Sequence, residues 1–215
     1  MTGAELLAYI RTDVLRDAAT PYLWSDALIY RRLSEAQEIH ARRTYSIVDE
    51  TTMLITEVDR VVYPNGVTTL FVLSAALSTS AVDLRNYTRK AIPSHLLTST
   101  GEPQIYTLDE ATNKIRLYPV PDAEYTINLR VARLPTDAIA SYSTPEIQAR
   151  YHLDLAEYVA WRCLQDNDVD GGKTGAADRH RADWEQRVSD AKRELYRMQL
   201  GSNPSVVSSW TGKRN

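Results

Sequence analysis

A run of acids invites a reading as a cation site. Asp166-Asn167-Asp168-Val169-Asp170-Gly171 follows the opening of a calcium loop, in which alternating oxygen ligands point at the ion and a glycine makes the sharp turn. Such a loop needs a bidentate Glu at its twelfth position, and Ala177 stands there, with Asp178 one residue late. The run therefore reads as an acidic, solvated connection between helices. Gly172-Lys173-Thr174 copies the end of a phosphate-binding loop. However, Asn167 occupies the place of the glycine that should come five residues before Gly172, and no strand leads into the segment. His40, His95, His152 and His180 show no metal-ligand spacing. Cys163 lies on an apolar helical stretch with no motif to activate it, so it reads as a buried, inert thiol. Asp154 and Glu157 sit one helical turn apart, as solvated acid pairs commonly do. No G-x-S-x-G pattern occurs. The residues thus predict no catalytic group, no cofactor and no bound metal, and the chain reads as a non-enzyme.

The bulk composition narrows the classes further. The 215 residues are 43% hydrophobic and 25% charged, enough to bury a core in one large domain or two small ones. A net charge of −3 argues against a positive face built to grip nucleic acid. The longest uncharged stretch, Val61–Val82, contains Pro64, Asn65 and Gly66 and does not form the roughly 20-residue apolar span that a membrane helix needs. The first residues, Met1-Thr2-Gly3-Ala4-Glu5, lack the basic-then-apolar order of a secretory signal. A single cysteine fits synthesis in a reducing cytosol. The cations are mostly Arg, and Tyr is abundant at 13 against one Phe. Both leanings suit surfaces that are buried on assembly.

Periodicity places these residues on elements. Leu6, Leu7, Ile10, Val14 and Leu15 predict a helix over 5–15. Pro21 breaks the pattern, and Ser25 caps a second helix that runs to Arg43 with Leu28, Ile29, Leu33, Ala36 and Ile39 inward. From 45 to 135 the chain turns to β character, with strands predicted at 53–57, 60–63, 68–73, 105–108, 114–118 and 125–133. Pro64-Asn65-Gly66, 109–113 and Pro119-Val120-Pro121-Asp122 read as hairpin turns. In the last strand Tyr125, Ile127, Leu129 and Val131 alternate with Thr126, Asn128 and Arg130, the period of a half-buried antiparallel strand. Thr144-Pro145-Glu146 reads as the cap, first turn and leading acid of a helix reaching Gln165. A final helix over 176–200 carries Ala177, Trp184, Val188, Ala191, Leu195 and Met198 as a narrow packing seam. The expected fold is α+β, mainly a helical bundle of about four helices made by 1–44 with 136–200, an antiparallel β-rich insertion over 45–135, and an extended tail over 201–215. That tail holds Val206, Val207, Trp210, Lys213 and Arg214. A large aromatic on a segment too polar to build a core reads as an interaction anchor.

Four segments carry a family resemblance. They are Leu15-Arg16-Asp17 through Leu23-Trp24-Ser25-Asp26, then Ser34-Glu35-Ala36-Gln37, then Lys114–Asp122 followed by Tyr125–Leu129, and finally Tyr151–Tyr158. In this order they resemble the phage head-to-tail adaptor, or connector, proteins. The resemblance implies a structural virion protein made in the host cytoplasm. It implies a ring of about twelve copies between the portal protein and the tail or a further nozzle or stopper protein, with DNA only as passing cargo and no membrane. It also makes Val206, Val207, Trp210, Lys213 and Arg214 candidate portal contacts. Asp166, Asp168, Asp170 and Asp178 become candidates for an acidic channel lining that lets DNA slide. A tail-completion or other neck protein of the same particle is the alternative.

Overall fold

The computed structural model describes residues 1–66, 68–79, 83–88, 91–109, 113–166 and 174–199. They form two compact units, one of Met1–Ser46 with the chain from Asp137 onward, the other of Ile47–Thr136.

The first unit is helical because its apolar residues recur at helical spacing on capped segments. Helix α1 (Gly3–Tyr9) starts with a reciprocal cap in which the Thr2 hydroxyl accepts from the Glu5 N–H and the Glu5 carboxylate accepts from the Thr2 N–H. The chain continues through a π-helical turn at Ile10–Val14. Helix α2 (Asp26–Thr44) is capped by Ser25 and ends where Tyr45 turns left-handed at φ 55°. It buries Ile29, Leu33, Ala36 and His40, a row at steps of three and four. Helix α4 is Asp154–Asp166 and helix α5 is Thr174–Gln199. Helix α4 packs on both α2 and α5 and is therefore apolar over most of its girth, with Leu155, Val159, Ala160 and Cys163 fully buried. Helix α5 meets its neighbours along Ala177, Trp184, Val188, Ala191 and Leu195. Trp184 is 1% exposed and lies edge-on to Tyr158 at 5.3 Å.

The second unit contains strands β1 (Val48–Ile55), β2 (Val62–Pro64), β3 (Thr69–Leu77), β4 (Arg85–Asn86), β5 (Ile105–Asp109), β6 (Lys114–Tyr118) and β7 (Thr126–Arg133), with the short helix α3 (Ser94–Thr98). They make a three-stranded antiparallel sheet in the order β1-β7-β3 and a four-stranded sheet in the order β2-β6-β5-β4. Ile127, Leu129 and Val131 of β7, Val72 and Ala75 of β3, Tyr106 of β5, and Ile115 and Leu117 of β6 share one core between the sheets. A smaller core gathers Ile92, Leu96, Ile105 and Tyr118.

The expectation of a mainly helical bundle is corrected by this second core. Among the described residues there are seven strands in two sheets and five α-helices, two of them short, so the fold is α+β with a substantial β part. The strands bury apolar side chains against each other and need no helix to cover them. Two expected hairpins are also corrected. Pro64-Asn65-Gly66 joins β2 to β3, and 119–122 leads from β6 to β7, yet the members of each pair lie in different sheets. Only β5 and β6 pair across their turn. The helix expected from Pro145 begins later, with a 3-10 turn at Ala149–Tyr151 and then α4. The Glu146 N–H is taken by the Gln37 side chain at 2.7 Å, and Gln148 is extended at ψ 141°. Met198, expected inward, is 50% exposed.

Candidate functional site

The motif residues between the first two helices are brought together by a side chain outside the motif. The π-helical turn directs Arg11 inward, where it is 6% exposed. Its guanidinium donates to Asp17 at 2.8 Å, to Asp26 at 3.1 Å through Nε, and to the Trp24 carbonyl at 2.7 Å. The Asp17 carboxylate also accepts from the Leu23 and Trp24 N–H groups. The Trp24 indole N–H donates to the Cys163 carbonyl of α4 at 3.1 Å, and Ser25 caps α2 through the Leu28 N–H. One buried cation thus closes the link and fixes the start of α2, while Trp24 pins the link to α4. Tyr22, whose ring lies 3.9 Å beneath the Arg11 guanidinium, and Leu23 remain 47% and 54% exposed. The clasp presents them on a rigid base, which suits a contact surface.

Polar side chains elsewhere in this unit are engaged in holding helices together. Arg187 of α5 spans Asp154 and Glu157 of α4 at 3.1 Å each, and His180 meets Glu157 at 2.7 Å. The His180 hydrogen bond and then Arg187 hold the Glu157 carboxyl below its ordinary pKa. Burial raises that of Asp154, against the opposing pull of Arg187. Divergent carboxyls can mark acid–base chemistry, but here Arg187 binds both acids and ties α5 to α4. The Cys163 thiol is fully buried, and burial pushes it up to about 11, which keeps it protonated at neutral pH.

The sequence-predicted acids separate. Asp166 ends α4 and pairs at 2.7 Å with Arg32, which also holds Glu35. Asp178 is exposed on α5. Asp168 and Asp170, the remainder of the calcium-like and phosphate-loop-like segment up to Lys173, and Val206, Val207, Trp210, Lys213 and Arg214 lie outside the described residues. Among the described residues no three His, Cys, Asp or Glu side chains gather where a metal ion could be held, and no helix is long and apolar enough to cross a membrane.

The second unit offers a concavity of about 490 Å³ beside the β4–β5 edge, lined by Leu77, Arg85, Tyr87, Leu96, Glu102 and Ile105. It also offers exposed apolar side chains on β1 and just after it. Met53 is 66%, Ile55 56% and Val58 58% exposed. Sequence reasoning missed both Arg11 and this edge. For Arg11 the available signal was an arginine beside the buried Ile10, with acids at positions 17 and 26 to answer it.

The chain matches the family described as SU10 adaptor protein over residues 1–208. Comparison with curated proteins gives no match.

Proposed function

The chain belongs to the SU10 adaptor protein family, a family of phage head-tail adaptors, and on that premise we propose that about twelve copies form a ring between the portal protein and the tail. It is a structural component of the phage particle; the ring extends the DNA channel and seats the tail or the next connector. The observation that carries this reading is the extent of the match, which runs through both units and into the C-terminal segment. The clasped link with its exposed Tyr22 and Leu23, and the apolar β1 edge, support a chain built to be covered by neighbours.

Within this reading the C-terminal segment contacts the portal. Trp210 is its anchor, Val206 and Val207 flank it, and Lys213 and Arg214 meet acidic groups. Asp168, Asp170 and Asp178 face the channel, where carboxylates repel phosphates and let DNA slide. Asp166 contributes less, because Arg32 neutralises it. The test is a native mass measurement of the full chain with and without portal, repeated for Trp210→Ala. We expect a closed ring on the portal for the full chain and a sharp loss of docking for the variant. A chain that never assembles on the portal refutes the proposal, and a Trp210→Ala variant that docks normally removes its anchor.

A further inference from the structure

The turn after β2 holds two neighbouring residues that can react with each other. Among the asparagines of the chain only Asn65 is followed by glycine; the others precede Tyr87, Lys114, Leu129, Asp168 or Pro204, or end the sequence. The backbone nitrogen after an asparagine can attack that asparagine's side-chain carbonyl carbon, and a glycine there has no Cβ to obstruct the approach. Hydrogen bonds to either group would hold them back, and in this turn neither is held. Among the described residues no acceptor takes the Gly66 N–H, and the Asn65 Oδ1 is buried without a hydrogen-bond partner. A buried carbonyl left unsatisfied loses little by moving away. The groups on either side are pinned instead. The Asn65 N–H donates to the Asn113 carbonyl at 3.0 Å, and the Gly66 carbonyl accepts from the Thr69 N–H at 2.9 Å and from the Asn113 Nδ2 at 3.1 Å. Gly66 is exposed, so water and base reach the peptide group between these anchors.

We propose that Asn65 is a site of spontaneous deamidation. Base takes the Gly66 N–H proton, and the nitrogen forms a bond to the Asn65 Cγ. The Cγ–Nδ2 bond breaks, Nδ2 leaves as ammonia with a proton from water, and a cyclic succinimide remains. Water then opens the ring at either carbonyl. Opening at Cγ leaves aspartate, and opening at the main-chain carbonyl leaves isoaspartate, in which the chain runs through Cβ and Cγ. Nothing is oxidised or reduced, and water is the only reactant consumed. Both products carry a new carboxylate. Isoaspartate also adds an atom to the main chain between the Asn65 N–H and the Gly66 carbonyl. Asn113 holds both of those groups, so the longer chain cannot keep both bonds. They sit at the end of the β2–β6 ladder, where Pro64 pairs with Lys114. The modification therefore loosens the end of β2 and accumulates with the age of the chain. Asn113 itself is protected, because its Nδ2 is engaged and Lys114 follows it. Asn86 and Asn128 lie within β4 and β7, before Tyr87 and Leu129.

The test keeps the full-length protein folded in warm, mildly alkaline buffer, with a synthetic peptide of residues 62–69 as the unrestrained reference. Peptide mapping by mass spectrometry follows the change from amide to acid at each asparagine. An isoaspartate methyltransferase with a labelled methyl donor counts the isoaspartate formed. Conversion at Asn65 should run at least ~10-fold faster than at Asn86, Asn113 or Asn128. Gly66→Ala should slow it at least ~10-fold, a barrier raised by about 1.4 kcal/mol. That variant keeps the fold, because Gly66 does not use the left-handed region and the added Cβ meets only the Thr69 hydroxyl at 3.1 Å, which can rotate; its unfolding midpoint checks this. Hydrogen exchange over 62–66 should quicken in the converted chain. An Asn65 that stays intact while the reference peptide converts overturns the proposal. So does a rate no faster than at the other three asparagines, or one indifferent to Gly66→Ala. Unchanged exchange over 62–66 after full conversion overturns the loosening of β2.

Discussion

Replacing Arg11 by Met tests whether the motif between the first two helices is a clasp. Met keeps the apolar length of the arginine stem, so the change removes the charge and its donors and little packing. Breaking a buried ion pair by deleting one partner costs about 3–5 kcal/mol, because the other charge is left behind. Two features place Arg11 at the lower end. Asp17 keeps the Leu23 and Trp24 N–H groups at 2.9 and 3.3 Å, and the Asp26 side chain is 56% exposed and can turn to water. Against this, the Trp24 carbonyl loses its donor in a buried place, at a cost of about 1–3 kcal/mol. A loss of about 3 kcal/mol follows. In a unit of this size it lowers the melting midpoint by roughly 6–12 °C. The assay is urea unfolding followed by tryptophan fluorescence. Trp24, Trp161, Trp184 and Trp210 all lie outside the 47–136 unit, so the signal reports on the helical unit alone. Arg16→Met is the control, since Arg16 is exposed and should stay within about 0.5 kcal/mol of the natural chain. A loss below about 1 kcal/mol for Arg11→Met, or one equal to the control, refutes the clasp.

Trp184→Ala removes the largest fully buried side chain and should cost about 3–5 kcal/mol in the same assay; an unchanged midpoint would mean the seam does not hold α5. Burial, aided by Arg43, lowers the His40 pKa to about 4. A histidine depressed in the fold keeps its stability above the unfolded pKa of about 6.5 and loses it as pH falls toward the folded value. Unfolding midpoints should therefore drop between pH 6.5 and 4, by roughly 3 kcal/mol at the acid end, and His40→Gln should flatten that slope. Gly3→Ala would set a Cβ 2.0 Å from the Ala140 carbonyl oxygen and should destabilise by about 1–3 kcal/mol. Gly175→Ala meets open space inside α5 and should leave the midpoint unchanged or raise it. Millimolar calcium, or ATP with magnesium, should leave the melting curve of the full chain flat; a rise of several degrees in either would restore one of the two loop readings.

Local signals were legible where one neighbour decides the outcome. Ser25 caps α2, Lys114–Tyr118 is a strand end to end, and β7 alternates because it is the central strand with one face on the shared core. Turn chemistry was read correctly as reversal but wrongly as hairpin. Pro64-Asn65-Gly66 bends the chain whether the next strand pairs with the last or crosses to the opposite sheet, and no residue in the turn encodes which. Pro145 favours a helix start, yet the Gln37 side chain from a distant helix captured the Glu146 N–H. The weight given to the bundle erred for a related reason. Short strands of mixed residues look like an appendage until their apolar faces are seen to share one core.

The candidate contacts divide along the same line. The motif Arg16-Asp17 to Trp24-Ser25-Asp26 was visible as a pattern, but its centre, Arg11, reads as one more exposed cation until the π-helical turn rotates it inward. The β1 edge was hidden differently. A strand is expected over 53–57 on β propensity, where the structure has Val48–Ile55, and a half-buried strand should carry polar side chains outward. Leu54 does pack on the core while Met53 and Ile55 face away from it, so both faces of this edge are apolar. A core strand explains one apolar face. The second face, Met53 and Ile55, is left exposed, and no periodicity in the sequence distinguishes it from a buried one.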